Sequence, residues 1–430
     1  MMVIKNEFKN ITFYMYLFCF IFAPPIIPNI NFVLIVFAYS FFKIITKYKK
    51  EVKDVFRKSK LNTFLNLIII AYLYILVIIL IGVLIDPVNF SNYIKVIYRF
   101  FLITPVIITC ILYVMLRCKE LNYGLHELIK ALIFAGLFQA IISISMALIP
   151  SVKDFFVSIM YLNTGDTTTQ NIWHFKRRYF AFSQNVLDTF GYGTGIISVL
   201  PIFYGIYKRK FVYLLLTPIL LIVPFLNSRT GLVIACIGII CLIPNVLFLS
   251  SLKEKMKFIL IITGLIFISS IALNYLNEIL PTTMSWVSNG VDDLLAFFNG
   301  QDNGTDSVSK LTNTMWFFPE SLFLVFGTGH TVYEATGYSH SDIGYVNDLW
   351  LGGLIGSLLL YIPFNYMFLK AFRSKYHQLD RILVVFLLIS FFISNIKTVI
   401  ISYNVGTSVT MLLAFFVIFN DRNYKDKGIE

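Results

Sequence analysis

Charge is scarce in this chain. Of its 430 residues, 13% are charged and 58% are hydrophobic. So few polar side chains cannot clothe a soluble protein of that size. Cysteine is sparse too. Cys19, Cys110, Cys118, Cys236 and Cys241 sit in apolar stretches or at their edges. None lies in a long polar segment or shows metal-ligand spacing, so neither a disulfide-stapled scaffold nor a metal module is expected. They read as small apolar filler. The first apolar run, "ITFYMYLFCFIFAPPII", lacks a small-residue cleavage site and is soon followed by another, so no cleaved leader is expected. There is no internal repeat, and unequal loop sizes in the two halves weigh against an inverted-repeat transporter.

What the chain does have is apolar length. Runs of about 20 residues recur throughout, each able to cross a hydrocarbon layer of ~30 Å. The pattern predicts an all-α, polytopic integral membrane bundle forming one domain. It has about twelve spans, at 10–26, 28–46, 63–85, 98–116, 126–149, 186–207, 211–226, 230–250, 258–277, 344–369, 382–401 and 404–420. The first hairpin turns at "APPIIPN", where prolines break the helices. Twelve spans put both termini on one side. Of the 35 Lys and Arg, 24 fall in the tails and linkers of that side, and nine fall opposite. The positive-inside rule then makes both termini cytoplasmic. It also accounts for the net charge of +12 without any nucleic acid.

The inner linkers are short and basic, while the outer side carries two large loops, 150–185 and 278–343. Function is expected there, since loops on a rigid scaffold tend to carry it. Within the second loop, "VDDLLAFF" and "MWFFPESLFLVF" are apolar but too short to span, and read as helices lying on the bilayer surface. The first loop holds "HFKRRYFAFSQNVLDTFGYGTG", with His174, Lys176, Arg177, Arg178 and Tyr179 clustered. A guanidinium can grip a pair of phosphate oxygens, which an ammonium cannot. It can equally pair with a carboxylate or a lipid headgroup. Arg229 stands in "FLNSRTGLVIACIGI" with almost no loop around it. A cation within hydrocarbon costs about 2.5–3.5 kcal/mol on insertion scales, so Arg229 either snorkels to the headgroups or has a task. Ser228 and Thr230 can satisfy backbone freed at the helix ends.

The second loop has eight acidic residues against one lysine, Lys310. It ends in "FGTGHTVYEATGYSHSDIGYVNDLWLGGLIG", where His330, His340, Asp342 and Asp348 crowd against the start of a span. An imidazole or carboxylate there can act as a general base. Gly352 and Gly356 form a GxxxG that reads as tight helix packing. Trp173, Tyr179, Trp316 and Tyr345 either stack on sugar faces or anchor the chain at the interface.

"SRTG" between two central spans, then a large outer loop ending in "SHSDIGYVNDLWLGGLIG", resembles the O-antigen polymerases, which stand with the O-antigen ligases in one superfamily of bacterial surface polysaccharide enzymes. "RYFAFSQNVLDTFGYGTG" resembles that family's stretch of Arg, Phe and a polar-Asn pair, which places Asn185. The likeness covers about 175–360.

The resemblance implies a GT-C-like helix bundle in the bacterial inner membrane. Its implied activity is a metal-independent glycosyl transfer with no cofactor, facing the periplasm. The substrate would be an oligosaccharide repeat unit on undecaprenyl diphosphate, extended into O-antigen or capsular polysaccharide. A chain-length regulator and a flippase would be its partners, with no nucleic acid. Arg178 and Arg229 match the family's arginine positions and are expected to bind the diphosphate, with Arg177 beside them. His340, Asp342 and His330 are candidate bases, and Asp348 and Tyr345 further candidates. The family often carries His closely followed by Asn, whereas here "HSDIGYVND" inserts Asp342 and moves Asn347 downstream. The base therefore stays open among the three. Polymerase, ligase, flippase or other transporter, and a non-catalytic assembly partner in a polysaccharide complex remain the competing readings.

Overall fold

The structure, a computed structural model, describes residues 2–27, 30–164, 177–183, 188–249, isolated positions between 252 and 299, and 314–332, 340–374, 377–401 and 404–426. The described chain is helical apart from loops and one short antiparallel pairing of Pro25–Ile27 with Ile30–Asn31. That pairing sits where the prolines stop the first helix. In hydrocarbon a backbone must bond to itself, so long apolar runs become helices.

The helices are α1 (Met2–Phe22), α2 (Phe32–Thr46), α3 (Lys49–Lys58), α4 (Leu61–Ile85), α5 (Phe90–Ile97), α6 (Thr104–Leu121), α7 (Leu125–Leu148) and α8 (Pro150–Thr164). There follow α9 (Asp188–Lys208), α10 (Leu216–Asn227), α11 (Arg229–Leu249), α12 (Leu322–Phe326), α13 (Gly344–Phe372), α14 (Gln378–Ser394) and α15 (Val405–Asp426).

Among the described residues five stretches are long and apolar enough to cross a membrane: Leu61–Ile85, Phe90–Leu121, Leu125–Leu148, Asp188–Lys208 and Gly344–Phe372. Five shorter apolar helices, Asn10–Phe22, Phe32–Thr46, Phe211–Asn227, Arg229–Pro244 and Val405–Asn420, accompany them. The span expected at 98–116 starts earlier, because α5 runs through a π-helical turn at Tyr98–Ile103 into α6. The span expected at 382–401 stops earlier, at Ser394, where Asn395 turns inward. The span expected at 258–277 lies, isolated positions aside, outside the described residues, as do "VDDLLAFF" and Lys310.

Two helices form the centre. In α9 every residue from Phe190 to Gly205 is buried, and in α15 everything from Val405 to Asn420 is buried. A helix apolar all round belongs inside a bundle. The Tyr192 and Thr410 hydroxyls join the two at 2.6 Å, and α7, α10, α11 and α14 pack around α9. On the rim, Ile70, Leu73, Val77 and Leu80 of α4 are exposed, a surface suited to lipid.

The apolar piece "MWFFPESLFLVF" is helical only over Leu322–Phe326, and Leu322 and Phe323 are exposed. The next residues plug a break in α13. At Gly353 the helix is interrupted (φ 62°, ψ −165°). The Thr328 N–H donates to the Trp350 carbonyl at 2.7 Å, and the Gly329 N–H to the Leu351 carbonyl at 3.0 Å. "GLIG" therefore follows a helix break, and the glycine that matters most is Gly353, between the GxxxG pair. A side chain at Gly353 would need a left-handed backbone and would collide with the Val325 carbonyl. At Gly352 the nearest atom would be 3.7 Å away. Gly353→Val is expected to cost about 2 kcal/mol or more. Gly352→Ala is expected to stay near wild type, and thermal unfolding in detergent compares the two.

Candidate anion site and base at one end of the bundle

The two arginine motifs meet through an asparagine, Asn227, whose part no sequence motif announces. Asn227, the last residue of α10, is fully buried. Its Oδ1 accepts the Tyr179 N–H at 2.9 Å, and its Nδ2 donates to the Tyr179 carbonyl at 3.1 Å and to the Val223 carbonyl at 2.8 Å. Gln139 of α7 donates to the Phe180 carbonyl at 2.7 Å, and the Ala181 N–H reaches the Met146 sulfur at 3.1 Å. Three consecutive residues after Arg178 are thus pinned to α7 and α10, which fixes where Arg178 leaves the bundle.

Arg229 begins α11, two residues beyond Asn227. Between the motifs stands Asp188, the first residue of α9. It accepts from Ser228 Oγ and Thr230 Oγ1, each at 3.2 Å. Gly191 and Gly231 let α9 and the start of α11 approach to backbone contact. Arg178 is half-buried. Burial pulls its guanidinium below the usual value, while the Asp188 carboxylate opposes that shift. A cation so placed acts on an anion through a lower effective dielectric than water offers.

Arg177 lies exposed beside this clamp. Asn185, His174, Lys176 and Trp173 lie outside the described residues. Tyr179 is buried with the Lys153 ammonium 4.1 Å from its ring centre, so it is not available to stack on a sugar.

The second constellation sits at the same end, because α15, which begins eight residues after Lys397, packs its first residue, Val405, against Gly193 in the second turn of α9. There His340 Nε2 lies 2.7 Å from Asp342 Oδ1, and Lys397 Nζ 3.2 Å from Asp342 Oδ2. His340 is the most exposed of the three at 54%. Burial raises the Asp342 pKa, but the bonds from His340 and Lys397 outweigh it, so the carboxyl ends below its usual value. An aspartate on one ring nitrogen orients an imidazole and supports its charged form, the arrangement a general base needs. The lysine had no assigned role in the sequence.

The frame around this pair is buried and polar. Asn347 donates to the Ser341 and Ile343 carbonyls, each at 2.8 Å, and holds the 341–343 turn. Asp348 is enclosed. It accepts from the Tyr361 hydroxyl and, at 3.2 Å, from Asn395 Nδ2. The Asn395 carbonyl takes the Gly344 N–H at 2.8 Å, and its Oδ1 the Ile400 N–H at 3.3 Å. Asp348 therefore braces the segment that carries Lys397. Tyr345 is tied to the Phe392 carbonyl at 2.8 Å. Both serve the frame.

His330 stands apart from the pair. It is buried, with its ring 5.8 Å from Tyr93 and 6.0 Å from Trp350. Burial lowers its pKa, against the Thr331 carbonyl and Asp86. Of the three candidate bases the structure joins His340 with Asp342 and sets His330 against α5.

No protein-family model, curated protein or solved structure matches this chain.

Two measurements check the site. Asn227→Leu leaves a buried N–H and carbonyl of Tyr179 unmatched, and is expected to cost about 2–4 kcal/mol in thermal unfolding. Acidification should act through Asp342. Its folded carboxyl holds a proton less tightly than the unfolded one. The stabilisation is therefore complete above the ordinary carboxylate pKa of about 3.9 and is lost as pH falls below it. The wild-type melting temperature should drop below about pH 4 more steeply than that of Asp342→Asn.

Proposed function

We propose that this chain is a membrane glycosyltransferase that polymerises lipid-linked oligosaccharide repeat units. The observation carrying this reading is the pairing, at one end of the bundle, of a clamped arginine site with an aspartate-oriented histidine. In the proposed reaction an acceptor sugar hydroxyl attacks the anomeric carbon of the donor glycan. Its proton passes to His340, held by Asp342, and the bond to the carrier oxygen breaks. Undecaprenyl diphosphate leaves with the electron pair. Negative charge grows on that diphosphate as the bond breaks, so fixed cations aimed at it stabilise the transition state most. Arg178 and Arg229 take that part, and Arg177 adds positive potential from the rim.

The finer architecture belongs to the same proposal: twelve spans in a GT-C-like bundle, placed in a bacterial inner membrane. Both termini would be cytoplasmic and the site periplasmic. A ligase would differ only in its acceptor. A transporter is a distinct second reading, favoured by the interrupted helix α13 with the enclosed Asp348 five residues before its break at Gly353. Discontinuous helices and buried ionisable groups mark substrate pathways in such proteins.

Purified protein with synthetic undecaprenyl-diphosphate repeat units separates them. A polymerase lengthens the chains, and a transporter moves units across liposomes without lengthening. Arg178→Ala and Arg229→Ala should each lower polymer formation about 100-fold or more. In cells they should leave single repeat units on the surface. Wild-type chain length in both variants overturns the diphosphate role.

A further inference from the structure

A cavity whose Arg117 end lies toward the start of α7 is not used by the proposed reaction. It has a volume of about 280 Å³ and lies between α1, α2 and α6. From α2 it is lined by Phe32, Ile35, Val36 and Tyr39, one face of two helical turns. That face runs about 10 Å along the helix at 1.5 Å per residue. The cavity is therefore elongated along the helices, with walls that are mostly alkyl and aromatic. Met15, Ile35 and Tyr39 on its rim are exposed at 50%, 48% and 46%, so it opens sideways, where an apolar helix bundle meets lipid. Among its polar lining groups, the Tyr16 hydroxyl is bonded to Ser40 Oγ at 2.6 Å.

One end of the cavity is lined by Arg117, and a basic collar forms there. Arg117 and Lys47 converge on the Glu120 carboxylate at 2.8 and 2.7 Å, joined by the Tyr48 hydroxyl. Lys43 Nζ lies 5.6 Å from the ring centre of the cavity-lining Tyr39. Two cations thus share one carboxylate, and Lys43 of α2 adds a third charge one turn before Lys47. The neighbouring acids do not cancel the excess. Asp54 pairs with Lys58 and Lys119, each at 3.3 Å, and Glu51 with Lys119 at 3.5 Å. Lys49, Lys50 and Lys53 of α3 are exposed beside the collar. A long apolar slot open to the bilayer and ending in net positive charge matches one molecule in both parts: a phospholipid with an anionic headgroup.

We propose that this cavity is a binding site for an anionic phospholipid. One acyl chain lies along α2, and the headgroup phosphate is held by Arg117, Lys47 and Lys43. Arg117 offers the phosphate two parallel donors, and the lysines supply charge. The site is independent of the proposed reaction.

Native mass spectrometry of the purified protein tests it, with equimolar phosphatidylglycerol and phosphatidylethanolamine added. Wild type should retain phosphatidylglycerol at least fivefold over phosphatidylethanolamine. The double variant Lys47→Gln, Arg117→Gln should lose that preference. Ile35→Trp, which fills the slot from an exposed position and leaves the charges intact, should reduce retention of phosphatidylglycerol to a similar extent. Lys43→Arg should keep it. Equal retention of the two lipids by wild type overturns the proposal, as does unchanged retention in Ile35→Trp. Displacement of the bound lipid by millimolar inorganic phosphate also overturns it, since the slot would then contribute nothing. Melting temperatures report folding of each variant, and Ile35→Trp and Lys43→Arg carry the test if the double variant unfolds.

Discussion

An apolar helix that stops inside a bundle must satisfy its own freed backbone, because hydrocarbon supplies no water. That constraint shapes the functional end of this molecule. Among the described residues four asparagines stand at helix ends there, and all are buried: Asn227, Asn347, Asn395 and Asn404. An amide side chain both donates and accepts, so it can close an N–H and a carbonyl at once. Asn227 does so for Tyr179. The Asn395 amide accepts the Ile400 N–H and donates to the Asp348 carboxylate, while its backbone carbonyl takes the Gly344 N–H. Asn404 takes the Thr407 N–H at 2.8 Å and donates to the Ile400 carbonyl at 3.2 Å. The helix ends are thereby joined to one another instead of to solvent.

Positioned charge follows from that frame. Arg178 sits next to a residue bonded on both its N–H and its carbonyl, and Arg229 opens the helix that begins just past the same asparagine. Lys397 rides on the segment between Asn395 and Asn404, so the lysine that meets Asp342 is placed by two amide caps. Such groups lose little freedom when a ligand arrives, and preorganised charge is what stabilises a developing anion. The two central helices α9 and α15 tie the halves together, since their first turns carry Asp188 on one side and Asn404 to Thr407 on the other.

Sequence alone displays the apolar helices, because hydropathy over twenty residues is a strong signal. It also shows that Arg178, Arg229, His340 and Asp342 are out of place for their surroundings. It does not display their partners. Asn227 in "FLNSRTG" reads as a turn residue, and only the fold reveals it facing Tyr179, 48 positions away in the chain. Lys397 reads as one cation at the end of a span, for the same reason. His330 and His340 look equivalent in one loop, yet burial against Tyr93 separates them. The GxxxG pair misleads in a useful way. Glycine spacing announces close approach, but a positive φ at Gly353 leaves no trace in composition.

The break at Gly353 bears on the choice between enzyme and transporter. In a transporter an unwound helix offers free carbonyls to an ion or substrate. Here the carbonyls of Trp350 and Leu351 are already taken by the N–H groups of Thr328 and Gly329, and Thr328 Oγ1 adds a bond to Trp350 at 2.8 Å. Gly82 of α4 approaches the Thr328 carbonyl so closely that an added Cβ would come within 2.6 Å of it, which holds the plug in place. A filled break is a joint. It anchors the end of the second large loop to α4 and α13, just ahead of the segment that delivers His340 and Asp342. Asp348 is engaged likewise, with Tyr361 and Asn395 occupying one carboxylate oxygen. Groups committed to the frame suit a rigid site that holds two substrates in register better than a pathway that must open and close.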